Sequence, residues 1–240
     1  GDSLKVVDIA TKNTDEKETQ VLITLQDEAK KKTPKILTPK ETILEQKREV
    51  SLKEEKDDNR YYVYVKGDVV LTTDSVSDAI IAANSQMGVV IGENQQYVWK
   101  RSRKTAQASF NDIVVGEEDS GAGSIAQCVN AILEKEEINI SVSALISQGE
   151  TPKQILLNTL KDATVLDLTG CTVDEILYYV SNGYPVFAMT GSNDAVLVVG
   201  YDANNVVLYD PAMGQTYKRT IADADEMFFN AGNIFFTYQK

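Results

Sequence analysis

The sequence predicts an α+β fold, with helices packed on an antiparallel sheet. Three observations carry the prediction. Between Ser120 and Gly183 helical patterns dominate, interrupted by one strand-like run at Val165-Leu166-Asp167-Leu168. Beyond them, four apolar runs at 185–189, 195–201, 206–210 and 234–238 are rich in Ala, Val, Phe and Tyr and are separated mostly by tight turns. Short connections suit antiparallel neighbours, because a parallel pair needs a crossover of roughly a dozen residues or more. Upstream, residues 60–100 carry two hairpin signals around one helical pattern. Helices followed by a meandering sheet is the order of an α+β chain rather than of alternating βα units.

Residues 1–57 are polar and charge-dense, with short apolar runs such as Val21-Leu22-Ile23 and Ile36-Leu37. Alternation at Val21, Ile23 and Leu25 predicts a strand, while Pro34 and Pro39 oppose a long helix. This stretch is expected to be an extended β-rich arm or a fragment of an upstream domain. Lys30-Lys31-Lys32 and Glu54-Glu55-Lys56-Asp57-Asp58 read as solvated loops.

In the next stretch, 58–105, Tyr62-Val63-Tyr64-Val65 and Val69-Val70-Leu71 flank Lys66-Gly67-Asp68, a hairpin signal. Ser75 is placed to cap a helix running through Asp78-Ala79-Ile80-Ile81-Ala82-Ala83. Gly88-Val89-Val90-Ile91 and Gln96-Tyr97-Val98-Trp99 flank a second turn at Gly92-Glu93-Asn94. The resulting ββαββ unit is too small to bury much by itself and is expected to pack on a neighbour. Arg101-Ser102-Arg103-Lys104 closes it as a solvated linker.

From 106 to 240 the elements become longer. Ile125, Val129, Ile132 and Leu133 fall at helical spacing, with Gly121 and Gly123 near the helix start. Thr151-Pro152 opens a helix with proline at its first position, where no backbone hydrogen bond is lost. Thr172-Val173-Asp174-Glu175 is a capping box for a helix that ends near Gly183. A further helix is expected at about 222–230, before the last strand.

Composition bounds the function. The 240 residues carry 42% hydrophobic side chains, ordinary for a chain that buries a core, and a net charge of -12. That charge argues against nucleic acid, whose binding rests on cationic phosphate contacts. No apolar run approaches the roughly 20 residues that span a bilayer, so no direct membrane insertion is expected of this segment. No signal peptide stands at the start, and Gly1 reads as the start of a processed or excised chain. Cys128 and Cys171 lack metal-like spacing and read as separate buried residues, and no cofactor or metal is expected.

The motifs that carry chemistry lie in the second half. Ser120-Gly121-Ala122-Gly123-Ser124-Ile125-Ala126 leads into a helix, Gly183-Tyr184-Pro185-Val186-Phe187-Ala188 into a strand, Asp194-Ala195-Val196 opens another, and Tyr209-Asp210-Pro211 ends a third. In order and spacing, residues 106–240 resemble the bacterial papain-like peptidases of the bacteriocin-processing (double-glycine leader) type. Members of that family carry Cys-Gly-Pro-Ala, Gly-x-Pro-Val, His-Ala-Val and Asp-Pro at these places. The resemblance implies a papain-like cysteine peptidase fold, with Ser120 at the nucleophile position, Asp194 at the base position and Asp210 retained as third member. The upstream oxyanion Gln has no counterpart: its place falls near Val114, and Gln107 is too distant.

Two departures decide the expected chemistry. A thiol at a helix N-terminus is activated by the dipole and by an imidazole, whose unperturbed pKa near 6.5 suits a base at neutral pH. This chain holds no histidine at all. A serine without imidazole stays a neutral hydroxyl, and a carboxylate of reference pKa near 3.9 is a weak base for it.

The favoured expectation is therefore a catalytically inactive homologue, binding a peptide, glycan or protein in the cleft between helix 120–134 and the sheet, beside Gly121, Gly123 and Asn193. The resemblance further implies a larger secreted or cell-surface protein of a Gram-positive bacterium. The alternative is a hydrolase acting on peptide or amide bonds through an altered Ser120/Asp194/Asp210 site. A third reading lets Asp194 and Asp210 hold a hard cation such as calcium, though they lack the spacing of a known loop. The bland readings remain: Ser120 as a helix N-cap, Asp194 as a solvated strand start, Asp210 as an Asp-Pro turn former. Tyr178, Tyr179, Phe228 and Phe229 are expected to be packing residues.

Overall fold

The computed structural model describes residues 59–102, the short strand at 108–109 and residues 122–240, all within the unit Glu49–Lys240. The expected arm at 1–57, the stretch holding Gln107 and Val114, and Ser120 and Gly121 lie outside the described residues.

Strands β1 (Tyr61–Val65) and β2 (Asp68–Thr73) form a hairpin over Lys66 and Gly67. Both turn residues have positive φ, 51° and 87°, as a two-residue turn matched to strand twist requires. Ser75 then caps helix α1 (Val76–Ser85), its hydroxyl accepting the Asp78 N–H at 3.2 Å. Strand β3 (Val89–Gly92) returns beside β1, and β4 (Tyr97–Trp99) pairs with β3, in the order β2-β1-β3-β4. The chain can make this return because residue 88 is glycine. A Cβ there would stand 2.4 Å from the Tyr64 carbonyl oxygen.

A larger antiparallel sheet follows. Strand β5 (Ala108–Ser109) precedes three helices, α2 (Ser124–Lys135), α3 (Val142–Ser147) and α4 (Pro152–Thr159). Strand β6 (Thr164–Asp167) and helix α5 (Val173–Ser181) come next. The chain then runs through β7 (Val186–Met189), β8 (Ala195–Tyr201), β9 (Asn205–Asp210), β10 (Gln215–Thr220), helix α6 (Ile221–Asn230) and β11 (Phe235–Gln239). The strand order is β10-β9-β8-β7-β11-β6, with β5 added at the end of β8. Every pairing is antiparallel, so the α+β class read from the sequence is the class found.

Three elements escaped the sequence reading, the first being the two-residue strand β5. Strand β10, Gln-Thr-Tyr-Lys-Arg-Thr, pairs along its length with β9 but is an edge strand with mostly exposed side chains, so it carries no apolar alternation. Helix α3 is only six residues long. One expectation fails: Phe229 is 72% exposed, while its neighbour Phe228 takes the buried side of α6 and packs edge-on against Phe235 at 5.2 Å. On a helix, adjacent residues face about 100° apart, and here Phe229 falls on the exposed side of α6.

Strand β8 shows how the core is divided. All seven of its residues are buried. Ala195, Leu197 and Val199 face a cluster with α2, α3 and α4, while Val196, Val198 and Tyr201 face another with α5, α6 and the small sheet. The period-two alternation of a strand thus serves two cores at once, and the irregularity between Val198 and Gly200 shifts it so that Tyr201 joins Val196 and Val198. The small sheet has no separate core: Val63, Val90 and Trp99 belong to the same cluster as Ile176, Tyr179 and Val198. Polar ties reinforce the junction. The Trp99 indole N–H donates to the Glu175 carbonyl at 2.7 Å, and the Tyr179 hydroxyl donates to the Val98 carbonyl at 2.9 Å.

Candidate functional site

The site is set by where helix α2 begins. Gly123 is its N-cap, in extended conformation, and Ser124 is its first residue. The helix therefore starts past Ser120, and the capping role expected there falls to Gly123. Ala126, Cys128, Val129, Ala131, Ile132 and Leu133 are all buried, which fixes the helix rotation. Two polar residues share that burial and are satisfied locally. The Gln127 side chain donates to the Ala122 carbonyl, tying down the entering segment, and the Asn130 amide donates to Glu134 at 3.3 Å.

The facing residue comes from the turn between β7 and β8. Thr190 N–H donates to the Asp194 carbonyl at 2.9 Å and closes that turn, leaving Asp194 exposed immediately before β8. Here the two elements meet. The Ser124 hydroxyl donates to Asp194 Oδ1 at 3.3 Å and accepts the Ala195 N–H at 3.0 Å. Ser120, which the resemblance sets at the nucleophile position, lies outside the described residues, and Ser124 was not singled out in the sequence. The available clue was the apolar periodicity itself, which begins at Ile125 and makes Ser124 the first residue of the helix.

The arrangement has a plain electrostatic logic. The first turn of a helix carries partial positive charge from its unpaired N–H groups, and a carboxylate there is worth about 0.3–1 kcal/mol. Asp194 provides that carboxylate. The Ser124 hydroxyl has one proton, and it points at Asp194; one of its lone pairs takes the first N–H of β8. The pair acts as a clasp between the start of α2 and the start of β8.

The remaining candidates are placed less suggestively. Asp210, half-buried at the end of β9, accepts the Ala212 N–H at 2.9 Å, the turn-forming role of an Asp-Pro pair. Among the described residues no hydrogen bond links it to Asp194. Gly123 and Asn193 are both exposed, and among the described residues a Cβ added at Gly123 would meet nothing within 4 Å. Cys128 and Cys171 are free and buried. Burial pushes the Cys128 thiol well above its ordinary value, and Asp210 adds to the effect. Cys171 is likewise pushed up, by burial first and then by Glu175. Neither thiol is placed to serve as a nucleophile. Among the described residues, no three His, Cys, Asp or Glu side chains converge as metal ligands would, and no helix is long and apolar enough to cross a membrane.

No protein-family model matches this chain, and no curated protein does. Among solved structures, it is similar to the crystal structure of a Bacillus anthracis protein described as a C39-like peptidase. That likeness has 14% sequence identity and a TM-score of 0.48, and it covers 57% of this chain and 98% of the other.

Proposed function

We propose that residues 106–240 are a degenerate papain-like module of the bacteriocin-processing type, catalytically silent and retained for binding or structure within a larger secreted or cell-surface bacterial protein. The observation that carries this reading is the clasp: Ser124 Oγ is held between Asp194 Oδ1 and the Ala195 N–H, so the residue that the resemblance sets at the base position is engaged by a serine hydroxyl. The chain has no histidine to take the proton. A scaffold outlasts its chemistry readily, because activity resides in the site. The exposure of Gly123 and Asn193 among the described residues supports a peptide, glycan or protein ligand lying along the helix start.

A hydrolase with an altered site is the second reading. It is favoured by one observation, that the Ser124 hydroxyl donates to a carboxylate as a nucleophile donates to its base. The two separate by labelling. Exposure of the folded chain to a fluorophosphonate and to iodoacetamide, followed by intact-mass measurement, is expected to leave it unmodified. A stoichiometric adduct on Ser120 or Ser124 would replace the silent reading with the hydrolytic one.

A further inference from the structure

A cleft of about 580 Å³ opens between the small sheet and the end of the large one, and none of its lining residues belongs to the clasp around Ser124. Its volume falls within the roughly 300–1,000 Å³ of small-molecule sites. Six residues define its chemistry: Arg60, Asn94, Gln96, Tyr97, Tyr178 and Gln239. Tyr178 is buried and forms a fixed wall, whereas Tyr97 is 51% exposed and carries the Lys100 ammonium over its ring, 5.0 Å from the centroid. The Gln239 side chain crosses from one sheet to the other, donating to the Tyr97 carbonyl at 3.0 Å, so the walls are held at a set separation. Asn94 uses its Oδ1 on the Gln96 N–H at 3.1 Å, which leaves its NH₂ group for a ligand. The Gln96 side-chain amide makes no hydrogen bond among the described residues.

Charge excludes most ligand classes. Lys240 is held by Glu136, and Lys100 lies 5.0 Å from the centroid of the Tyr97 ring. Among the described residues that line the cleft, this leaves Arg60 as cation and Glu93 as acid. One of each suits neither a polyphosphate, which needs clustered cations, nor a metal ion, which needs clustered acids. Tyrosine rings and side-chain amides fit a neutral, hydroxyl-rich molecule. A sugar ring sets its C–H face on an aromatic ring, and vicinal hydroxyls match an amide that carries donor and acceptor side by side.

We propose that this cleft binds a neutral oligosaccharide. The proposal goes beyond the silent papain-like site and stands without it. Chitotetraose, cellotetraose and maltotetraose are titrated into the full chain by calorimetry and by amide-resolved NMR. At least one is expected to bind and to shift the Gln96, Tyr97 and Gln239 resonances. Tyr97→Ala and Gln96→Ala, both at exposed positions, keep the wild-type melting temperature and weaken binding by about tenfold. Ser124→Ala binds as wild type does. No binding of any of the three at millimolar concentration overturns the proposal. So does binding that Tyr97→Ala leaves unchanged, or that Ser124→Ala weakens equally.

Discussion

The indole N–H of Trp99 donates to the main-chain carbonyl of Glu175 at 2.7 Å, joining the last strand of the small sheet to the first turn of α5. Glu175 is tied at its other end as well. Its carboxylate accepts the Thr172 N–H at 2.8 Å, closing the helix start, and the Asn84 side chain at 3.1 Å. A buried charged residue thus has partners from its own helix cap and from α1, which is the condition for keeping it buried.

The small and large sheets are therefore expected to unfold together. Trp99 is the one tryptophan of the chain and is almost wholly buried, so its fluorescence reports the junction. Fluorescence and the amide protection of β8 should be lost at the same urea concentration. Trp99→Ala should lower stability by about 3–5 kcal/mol, as deletion of a large core ring does. Loss of fluorescence well before β8 opens would show two independent bodies.

Removing the clasp is expected to be a stability change and nothing more. Ser124→Ala should cost about 1 kcal/mol, the ordinary worth of a hydrogen bond. Asp194→His should also destabilise, because an imidazolium at a helix N-terminus opposes the dipole. The folded state then disfavours protonation, so this loss should deepen as pH falls below about 6.5, the unperturbed imidazole pKa. Urea midpoints measured across that range for both variants test the pair.

Both thiols should be silent in the native protein. Cys128 and Cys171 are fully buried, and burial holds their thiols protonated. A thiol-specific disulfide reagent should react only as the chain unfolds. By contrast, Ser124→Cys places a thiol at the first residue of α2, where the helix N-terminus lowers its pKa below the ordinary value of about 8.5. That variant should label in the folded state, and a failure to do so would mean the helix start is closed.

Acid should weaken the C-terminal strand's anchorage. Burial alone would raise the Glu136 carboxyl, but hydrogen bonds from Lys240 and Tyr238 outweigh it and the net shift is downward. A lowered carboxylate stabilises the fold above its unfolded value and loses that contribution as pH falls through the folded one. Glu136→Gln should therefore be less stable than wild type at neutral pH. The difference should shrink below about pH 4.3, the reference value for glutamate. Urea unfolding of both proteins over that interval measures it; a gap that stays constant with pH would contradict it.

Much of the fold was legible because local chemistry and tertiary structure agree. The Ser75 cap, the Lys66-Gly67 turn, Pro152 at a helix start and the Thr172/Glu175 pairing all lie where their residue types place them. Gly183, with φ of 91°, ends α5 as a left-handed glycine does. Strand β10 was illegible because a polar edge strand is specified by its partner, not by its own pattern. The site was half legible. Asp194 and Asp210 were located through the resemblance, whereas Ser124 stands out only once the start of α2 is known, and glycines at both 121 and 123 blur that boundary. Phe229 shows the converse limit, since composition cannot say which of two adjacent rings faces in.

The proposal of a catalytically silent site is tested most directly by turnover. Wild type, Ser120→Ala and Ser124→Ala are each incubated at neutral pH with a fluorogenic peptide library and with double-glycine leader peptides. The account predicts hydrolysis no faster than buffer for all three. Turnover by the wild type that either variant abolishes would contradict it.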